Sequence, residues 1–384
     1  MGKRIMIVTG EASGDLHAAN LVRAMRQIDP NLTFFGMGGP RLESVGVEIL
    51  VPAETLSVVG IVEIVAQGKD IWRAQQRLRK ALREKRPDLL VIIDLPDFNL
   101  LLAKYARKQG VRVFYYICPQ VWAWRSGRVK TIAARVDRLG VILPFEEAFF
   151  RERGLAATYV GHPLLDSVRT TQTREQFLTS QAIAADRKII GLLPGSRSKE
   201  VLSLLPRFIE AARWVQTRLN QKVSFLLPQS PLLELDIYKR AGLYSTDDLD
   251  IRLINEHRYN LMAACDCVVA ASGTVTLELA LLKIPMVVAY RLAPLSHLLA
   301  KLLVKLEFFS LVNLIADEKV VPELLQAEVC AENIGHEILE LVTNDRRRKE
   351  MLEALQGVCD KLGRPGASKR AASVALELLT QDTS

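Results

Sequence analysis

The stretch "IIGLLPGSRSKEV", residues 189–201, has the pattern of a buried strand, a glycine turn and the start of a helix. A helix that begins at such a turn leaves its first backbone N–H groups unpaired, and the helix dipole adds positive charge there. Arg197 places a planar cationic side chain at the same point. The stretch therefore predicts a βα unit that binds an anion through Gly195, Ser196 and Arg197.

The same alternation of short apolar runs and helical patterns covers most of the chain. Strands are predicted at 4–9, 33–37, 89–94, 111–117, 139–143, 158–160, 188–193, 223–227, 251–254, 267–271 and 286–290. Helices are predicted at 15–28, 69–86, 98–109, 126–134, 146–153, 199–219, 258–264 and 274–283. Strands separated by helices indicate parallel sheets with helices on both faces. The predicted fold class is α/β, with two Rossmann-like, doubly wound parallel-sheet domains that face a cleft.

A polar stretch at 166–187 separates the two series and sets the domain boundaries. The first domain is expected at 1–165 and the second at 186–344. The charged, helical residues 345–384 are expected to pack back on the first domain.

The composition is that of an ordinary globular protein of two or three domains, with 384 residues, 49% hydrophobic and 24% charged. Its five cysteines show no CxxC spacing and form no even set, so neither a zinc site nor a disulfide framework is indicated. The Cys265-Asp-Cys267 pair is typical of core packing. No apolar segment reaches the roughly 18 residues of a membrane span, and the apolar run Ile5–Val8 is too short for a signal peptide. A reducing, cytoplasmic setting is expected.

The formal net charge is +8, and residues 69–86 carry eight Lys and Arg against Asp70 and Glu84. Such a run fits a solvated helix face, an anionic membrane surface or nucleic acid. Nucleic acid is the least favoured of the three, because no stacking aromatics and no nucleic-acid motif accompany the run.

The loop "VTGEASGDLHAA", residues 8–19, is a glycine loop without the GxGxxG spacing of a dinucleotide site. Its carboxylates, Glu11 and Asp15, would repel a pyrophosphate and better suit sugar hydroxyl groups. Ser13 and Asp15 are equally typical of helix caps. His17 is a candidate general base, although a histidine on a helix surface is the simpler interpretation.

Asp94 ends the apolar strand of "LLVIIDLPDFN", residues 89–99. Partial burial at a strand end would raise the pKa of its carboxyl, which suits a general base. A structural turn aspartate is the alternative. Asp97 or Asn99 is expected to cap the next helix.

The segment "CPQVWAWRSGR", residues 118–128, places Trp122 and Trp124 after another strand. In an extended segment two such residues point the same way and could form a platform for a sugar or an acyl chain. Core packing is the alternative. His162, in "VGHPLLD", ends the first series and suits either a cleft or a hinge position.

A second anion loop is predicted in "AASGTVTLELA", residues 270–280, at Gly273 and Thr274. Glu278 follows one turn into the helix, where a carboxylate can accept hydrogen bonds from both hydroxyls of a ribose. An arginine loop and a ribose acceptor in one domain together indicate a nucleoside diphosphate.

These motifs resemble those of the lipid-A-disaccharide synthases, which are inverting glycosyltransferases of lipid A assembly. The resemblance runs from about residue 5 to 330. It rests on six blocks in order, namely "GEASGD", "DLPDFN", "PQVWAWR", "GHPLLD", "LLPGSRSKEV" and "SGTVTLE". The resemblance implies a GT-B fold, UDP-2,3-diacylglucosamine as donor and 2,3-diacylglucosamine 1-phosphate (lipid X) as acceptor. The implied products are a β-1,6-linked disaccharide 1-phosphate and UDP.

The resemblance also implies roles for individual residues. Asp94 would be the base for the acceptor 6-hydroxyl, Arg197 would contact the donor diphosphate and Glu278 would hold the ribose. Further candidates for the cleft are Glu11, Ser13, Asn99, Trp122 and Asn313. No metal is expected, since neither a DxD motif nor a histidine cluster lies near the phosphate loops. No other cofactor is expected either.

Acylated substrates give a meaning to two apolar and basic stretches, residues 56–78 and 290–306. Both suit an interface beside anionic lipid, with an amphipathic core helix as the alternative. The candidate acyl or membrane contacts are Val58, Val59, Ile61, Ile64 and Trp72. The enzyme is expected to be peripheral to the cytoplasmic face of the inner membrane, and a homodimer is one assembly that the sequence allows.

Two rival functions follow from the same motifs. One is a GT-B transferase or epimerase with soluble sugar substrates, which would not need the apolar surface at 56–72. The other is a nucleotide-binding scaffold without catalysis, which would not need a desolvated carboxylate such as that of Asp94.

Overall fold

A computed structural model describes residues 2–56, 63–124, 127–291 and 307–380 of the chain, without the side chains of residues 12, 56, 63–67, 123 and 124. The chain divides into two compact units. The first unit comprises Met1–Asp166 and Arg364–Ser384, and the second comprises Ser167–Gly363.

Within the described ranges the first unit has a parallel sheet of seven strands in the order β3-β2-β1-β4-β5-β6-β7. The strands are β1 (Arg4–Val8), β2 (Thr33–Gly38), β3 (Glu48–Pro52), β4 (Leu89–Ile93), β5 (Arg112–Tyr116), β6 (Arg138–Val141) and β7 (Ala157–Tyr159). The helices up to the unit boundary are α1 (Ala12–Ile28), α2 (Pro40–Ser44), α3 (Glu63–Lys85), α4 (Pro96–Lys108), α5 (Val121–Trp124), α6 (Arg128–Ala133), α7 (Glu146–Arg151) and α8 (Leu164–Ser167), with a 3₁₀ helix at Ala53–Leu56.

The central strands of this sheet are buried on both faces, which explains why their sequences are continuous apolar runs. Ile5 and Ile7 of β1 belong to one core, which α1 covers, whereas Met6 and Val8 belong to the core beneath α3 and α4. Side chains that alternate along each strand thus supply both cores.

The second unit has a parallel sheet of six strands among the described residues, in the order β10-β9-β8-β11-β12-β13. The strands are β8 (Lys188–Leu193), β9 (Val223–Pro228), β10 (Ile251–Ile254), β11 (Cys267–Ala271), β12 (Met286–Tyr290) and β13 (Glu323–Leu325). The helices are α9 (Arg174–Ser180), α10 (Ser198–Gln216), α11 (Leu235–Arg240), α12 (Arg258–Ala264), α13 (Val275–Leu281), α14 (Leu311–Ala316), α15 (Ala331–Thr343) and α16 (Asp345–Leu362), with 3₁₀ helices at Leu243–Ser245 and Gln326–Glu328.

The expectation that all of residues 345–384 pack on the first domain is wrong for α16. That helix packs against α13, α14 and α15 of the second unit, and its buried residues are Met351, Leu355, Val358 and Leu362. Only the last helix, α17 (Ala367–Thr380), returns to the first unit. The two helices have separate apolar faces, and the break "GRPGAS" between them lets each face join a different core.

Helix α17 packs on α1, and its residues Ala371, Ala372 and Ala375 are fully buried in the core that the two helices share. Small side chains allow the two helices to approach closely. Two hydrogen bonds fasten the start of α17 to the end of the first sheet: Gly366 N donates to Asp166 Oδ1 (2.6 Å), and Arg370 Nε donates to the Val160 carbonyl (2.8 Å). The first unit is therefore completed by residues from the far end of the sequence.

Across the described part of the chain, every helix is too short or too polar to traverse a lipid bilayer.

Candidate active site

In both units the loops that carry the candidate site residues lie at the point where the strand order of the sheet reverses. In the first sheet β1 pairs with β4, so the loops after Val8 and after Ile93 are neighbours. In the second sheet β8 pairs with β11, which brings together the loops after Leu193 and after Ala271. Open parallel sheets bind their ligands at these switch points, beyond the carboxyl ends of the strands.

Three donors from the loop after β1 hold the carboxylate of Asp94. Thr9 Oγ1 donates to Oδ2 (2.6 Å), Gly10 N to Oδ1 (3.0 Å) and Glu11 N to Oδ2 (3.1 Å). Asp94 and the following Leu95 both have left-handed backbone conformations, with φ of 53° and 36°. Each such conformation costs a non-glycine residue roughly 1–3 kcal/mol, and such strain is concentrated at functional sites.

Burial raises the pKa of Asp94 to about 7, even though the hydrogen bonds from Thr9, Gly10 and Glu11 act to lower it. A carboxyl group with this pKa is ionised in about half of the molecules at neutral pH, which suits proton transfer. Asp94 thus lies at a strand end with the pKa of its carboxyl near neutrality.

The sequence suggests a cleft position for Asn99, and this prediction is wrong. Its side chain is fully buried beneath the Asp94 turn. Its Nδ2 donates to the carbonyls of Ile93 and Asp94 (both 2.9 Å), and Tyr115 OH donates to the same Asp94 carbonyl (2.9 Å). These bonds fix the strained backbone that carries the carboxylate.

The glycines of the loop make room for Asp94. A Cβ atom at Gly14 would overlap Asp94 Oδ2 and Thr9 Oγ1, and one at Gly10 would overlap the Leu95 side chain. Gly14 is therefore required for the position of the carboxylate.

The other polar residues of this loop have different surroundings. Glu11 and Ser13 are exposed at the start of α1, and Glu11 holds Asp94 through its backbone. Asp15 is buried and accepts from the backbone N–H groups of Gly39 (2.7 Å) and Arg41 (2.9 Å), so it caps α2 and is not placed for a sugar.

The two histidines of the first unit are both uncharged at neutral pH. Burial lowers the pKa of His17 to about 4 and that of His162 to about 4, and for His162 the neighbouring His17 adds to the effect. His162 Nδ1 accepts from Leu164 N (3.2 Å), which fits a structural position at the end of β7.

The predicted tryptophan platform is wrong because Val121–Trp124 is a helix rather than an extended segment. Residues two apart in a helix do not face the same way. Trp122 instead packs edge-on against Phe145, with 4.9 Å between ring centroids, and its Nε1 donates to Glu146 Oε1 (2.9 Å). Glu146 has no signature in the sequence pattern; it is a buried carboxyl, and burial raises its pKa to about 7.

In the second unit the loop after β8 differs from the prediction. Glu200 Oε2 accepts from Ser196 N (3.0 Å) and Arg197 N (3.2 Å), so these amides are already paired within the loop. Gly195, with φ of 108°, leaves the space that the Glu200 carboxylate fills. The Arg197 side chain remains 76% exposed and is the group that can reach an anion.

The loop after β11 carries Gly273 and Thr274 directly before α13, and Glu278 lies one turn into that helix. Among the described residues nothing lies within 4 Å of the position of a Cβ at Gly273, and Thr274 is exposed. Glu278 is buried and contacts Arg258 and Tyr259, two residues that no motif in the sequence marks.

Asn313 is fully buried and does not line a cleft. Its Nδ2 donates to the Val321 carbonyl and to Glu323 Oε1, and its Oδ1 accepts from Val320 N and Val321 N (all 2.9 Å). All the hydrogen-bonding capacity of the amide is used to shape the 310–323 loop.

Of the candidate membrane contacts, Val58, Val59, Ile61 and the side chain of Ile64 lie outside the described residues. Trp72 is 63% exposed on α3.

No group of three metal-ligating side chains occurs within the described ranges. The stretch Asp248-Leu249-Asp250 has DxD spacing, but Asp248 pairs with Arg213 (2.7 Å) and Asp250 pairs with Arg187 and Arg252 (both 3.0 Å).

Two doubly wound parallel sheets, each with its polar groups at the switch point, define the GT-B fold. Three solved structures share it: S. aureus MnaA with UDP (TM-score 0.68, 14% identity, 100% of this chain and 99% of that chain), the UDP-GlcNAc 2-epimerase of Neisseria meningitidis bound to UDP-GlcNAc (0.66, 10%, 99% and 100%) and Acinetobacter baumannii MurG (0.61, 13%, 98% and 100%). At these identities the likeness concerns the fold alone.

The family described as lipid-A-disaccharide synthetase matches residues 5–378. Proteins named lipid-A-disaccharide synthase are 45% identical over 377 residues in Geobacter sulfurreducens (98% of this chain, 97% of that protein) and 41% identical over 376 residues in Myxococcus xanthus (98% and 97%). The chain belongs to this family. It is a glycosyltransferase of lipid A biosynthesis, so the resemblance to this family is confirmed, and the match extends beyond residue 330 to residue 378.

Proposed function

We propose that the chain joins UDP-2,3-diacylglucosamine to 2,3-diacylglucosamine 1-phosphate, with inversion at the donor C1. The products are the β-1,6-linked disaccharide 1-phosphate and UDP. The observation that carries this proposal is the half-buried Asp94 carboxylate at the switch point of the first sheet, held by three donors and with a pKa of about 7.

The proposed step is a direct displacement. Asp94 accepts the proton of the acceptor 6-hydroxyl while the oxygen attacks C1 of the donor, and the bond from C1 to the diphosphate oxygen breaks. The negative charge that develops on UDP is stabilised by Arg197, whose cationic guanidinium is exposed. Glu278 accepts hydrogen bonds from the ribose hydroxyls.

We propose that the reaction needs no metal ion, since Arg197 supplies the positive charge at the leaving group. The DxD carboxylates offer no alternative, because Asp248 and Asp250 are engaged by arginines.

We also propose that the enzyme acts as a peripheral protein at the cytoplasmic face of the inner membrane. Helix α3 supports this, because the side chains of Trp72, Arg73 and Lys80 are 63%, 72% and 67% exposed on it. An exposed aromatic among cationic side chains suits an anionic lipid interface. Cosedimentation with vesicles that contain an anionic phospholipid tests this part.

The test of the reaction is a mass-spectrometric assay of the purified chain with both acylated substrates in detergent and EDTA. A disaccharide 1-phosphate formed together with UDP supports the substrates and the absence of a metal. Activity that returns only when Mg²⁺ replaces EDTA contradicts the metal-free step. UDP binding without disaccharide would instead favour an enzyme of soluble sugar nucleotides.

The pH dependence of kcat/KM tests Asp94 as the base. A base acts in its deprotonated form, so kcat/KM is expected to fall about tenfold per pH unit below pH 7 and to level off above it. Thr9→Val removes a hydrogen bond that lowers the pKa of Asp94, so the acidic limb should move to higher pH. If kcat/KM falls at the same pH in the wild type and in Thr9→Val, a group other than Asp94 controls the rate.

A further inference from the structure

Two residues at the start of α12 face the carboxylate of Glu278 on α13. The Arg258 guanidinium forms an ion pair with Glu278 Oε1, and Tyr259 OH donates to the same oxygen (3.2 Å). Arg258 Nη2 also donates to Tyr259 OH (2.8 Å), and the guanidinium lies 4.7 Å from the centroid of the Tyr259 ring. The three side chains thus form one connected cluster.

The contacts are unequally distributed over the carboxylate. Arg258 and Tyr259 both bind Oε1, and neither binds Oε2. The Glu278 side chain is only 6% exposed, whereas that of Arg258 is 56% exposed. A carboxylate held from one side by two donors has a fixed orientation, and its second oxygen is directed away from them.

The charge of Arg258 also affects the ionisation of Glu278. Burial raises the pKa of Glu278, and Arg258 and then Tyr259 oppose that rise. An ionised carboxylate only accepts hydrogen bonds, whereas a protonated one also donates. The ionised form therefore suits two ribose hydroxyls that both donate.

We propose that Arg258, assisted by Tyr259, is a positioning residue for the donor, because the two residues hold Oε1 of Glu278 and thereby direct the other carboxylate oxygen toward the two hydroxyls of a ribose. This inference rests on the proposed role of Glu278 as ribose acceptor. Arg258 acts through Glu278, so its effect should depend on whether the bound nucleotide has those hydroxyls.

The test compares UDP with 2′,3′-dideoxy-UDP by calorimetry in the full-length wild type, Arg258→Met and Arg258→Lys. The wild type is expected to bind UDP about tenfold or more tightly than the dideoxy nucleotide, the loss expected when hydrogen bonds to a charged group are removed. In Arg258→Met this preference should largely disappear, and Arg258→Lys should restore part of it. Such coupling between a residue and a ligand group is what a double-mutant cycle measures.

The alternatives give different results. If Arg258→Met weakens both nucleotides equally and leaves the preference unchanged, Arg258 is merely structural and the inference is overturned, while the ribose site stands. If the wild type itself shows no preference, the assignment of Glu278 to the ribose falls and takes the inference with it. If Arg258→Met fails to fold, the same comparison is made with Tyr259→Phe. A smaller preference for UDP over 2′,3′-dideoxy-UDP supports the inference, and a preference equal to that of the wild type refutes it.

Discussion

Replacing Asp94 with asparagine is expected to lower kcat for disaccharide formation by about 10²–10⁴ while leaving the UDP affinity at its wild-type value. Asparagine has nearly the same shape but cannot accept a proton at neutral pH. It also faces the N–H groups of Gly10 and Glu11, one of which would then lie against an NH₂ group instead of an oxygen. The residues of the proposed nucleotide site, Arg197 and Glu278, lie in the second unit, so calorimetry with UDP should show no change.

Asp97→Asn is the matched control, since this aspartate lies three residues further on, is 80% exposed and pairs with Arg128. Its activity should remain close to that of the wild type. If Asp94→Asn retains full turnover, the role of base passes to Glu11 or to the neutral imidazole of His17.

The substitution Gly14→Ala is expected to lower turnover nearly as far as Asp94→Asn, without removing any functional group. The added Cβ would overlap Asp94 Oδ2 and Thr9 Oγ1, so the carboxylate must leave its position or the turn must shift. A displacement of a catalytic group by about 1 Å can cost about 10²-fold in rate. Steady-state kinetics and thermal unfolding, measured on the same sample, separate the loss of activity from the loss of stability.

The control for this substitution is Gly357→Ala on α16, where among the described residues nothing lies within 4 Å of the new Cβ. Alanine in an open helical position should leave the rate unchanged and stabilise the helix by up to about 1 kcal/mol. Wild-type turnover in a folded Gly14→Ala protein would show that the position of Asp94 is not critical.

Most strands could be predicted closely from the sequence, including the edge strands β7 and β10, whereas the edge strands β3 and β13 could not. Strands β8 and β11 have the predicted bounds because burial on both faces demands an uninterrupted apolar run. Strands β3 and β13 lie at sheet edges and are only partly buried, and their sequences, "EILVP" and "ELL", contain no long apolar run. The apolar periodicity predicts no helix in the polar stretch 166–187, yet α9 lies there, and its sequence displays the capping box of Thr173 and Gln176.

The position of Asp94 follows from the rule that ligands lie beyond strand ends, but its partners do not. Thr9, Gly10 and Glu11 are more than 80 residues away in sequence, and only the pairing of β1 with β4 brings them to the carboxylate. The same limit applies to Arg258 and Glu278, which lie 20 residues apart.

Polar residues beside a strand end or in a loop proved ambiguous, because a side chain that binds substrate and one that holds the loop have the same sequence pattern. Asn99 and Asn313 both bond to nearby backbone groups. Glu200 binds the amides that a phosphate was expected to take. Short-range hydrogen bonds of this kind depend on loop conformation, which the apolar periodicity of a sequence does not encode.

The return of α17 to the first unit has a consequence for synthesis on the ribosome. The face of the first sheet that carries α1 emerges early, yet the helix that completes its cover is translated only after the whole second unit, Ser167–Gly363. The nascent first unit must therefore keep an apolar surface uncovered for the time needed to translate about 200 residues, roughly 10–40 s at bacterial rates. The unit that carries Asp94 is the first to leave the ribosome, and its core is the last to be fully covered.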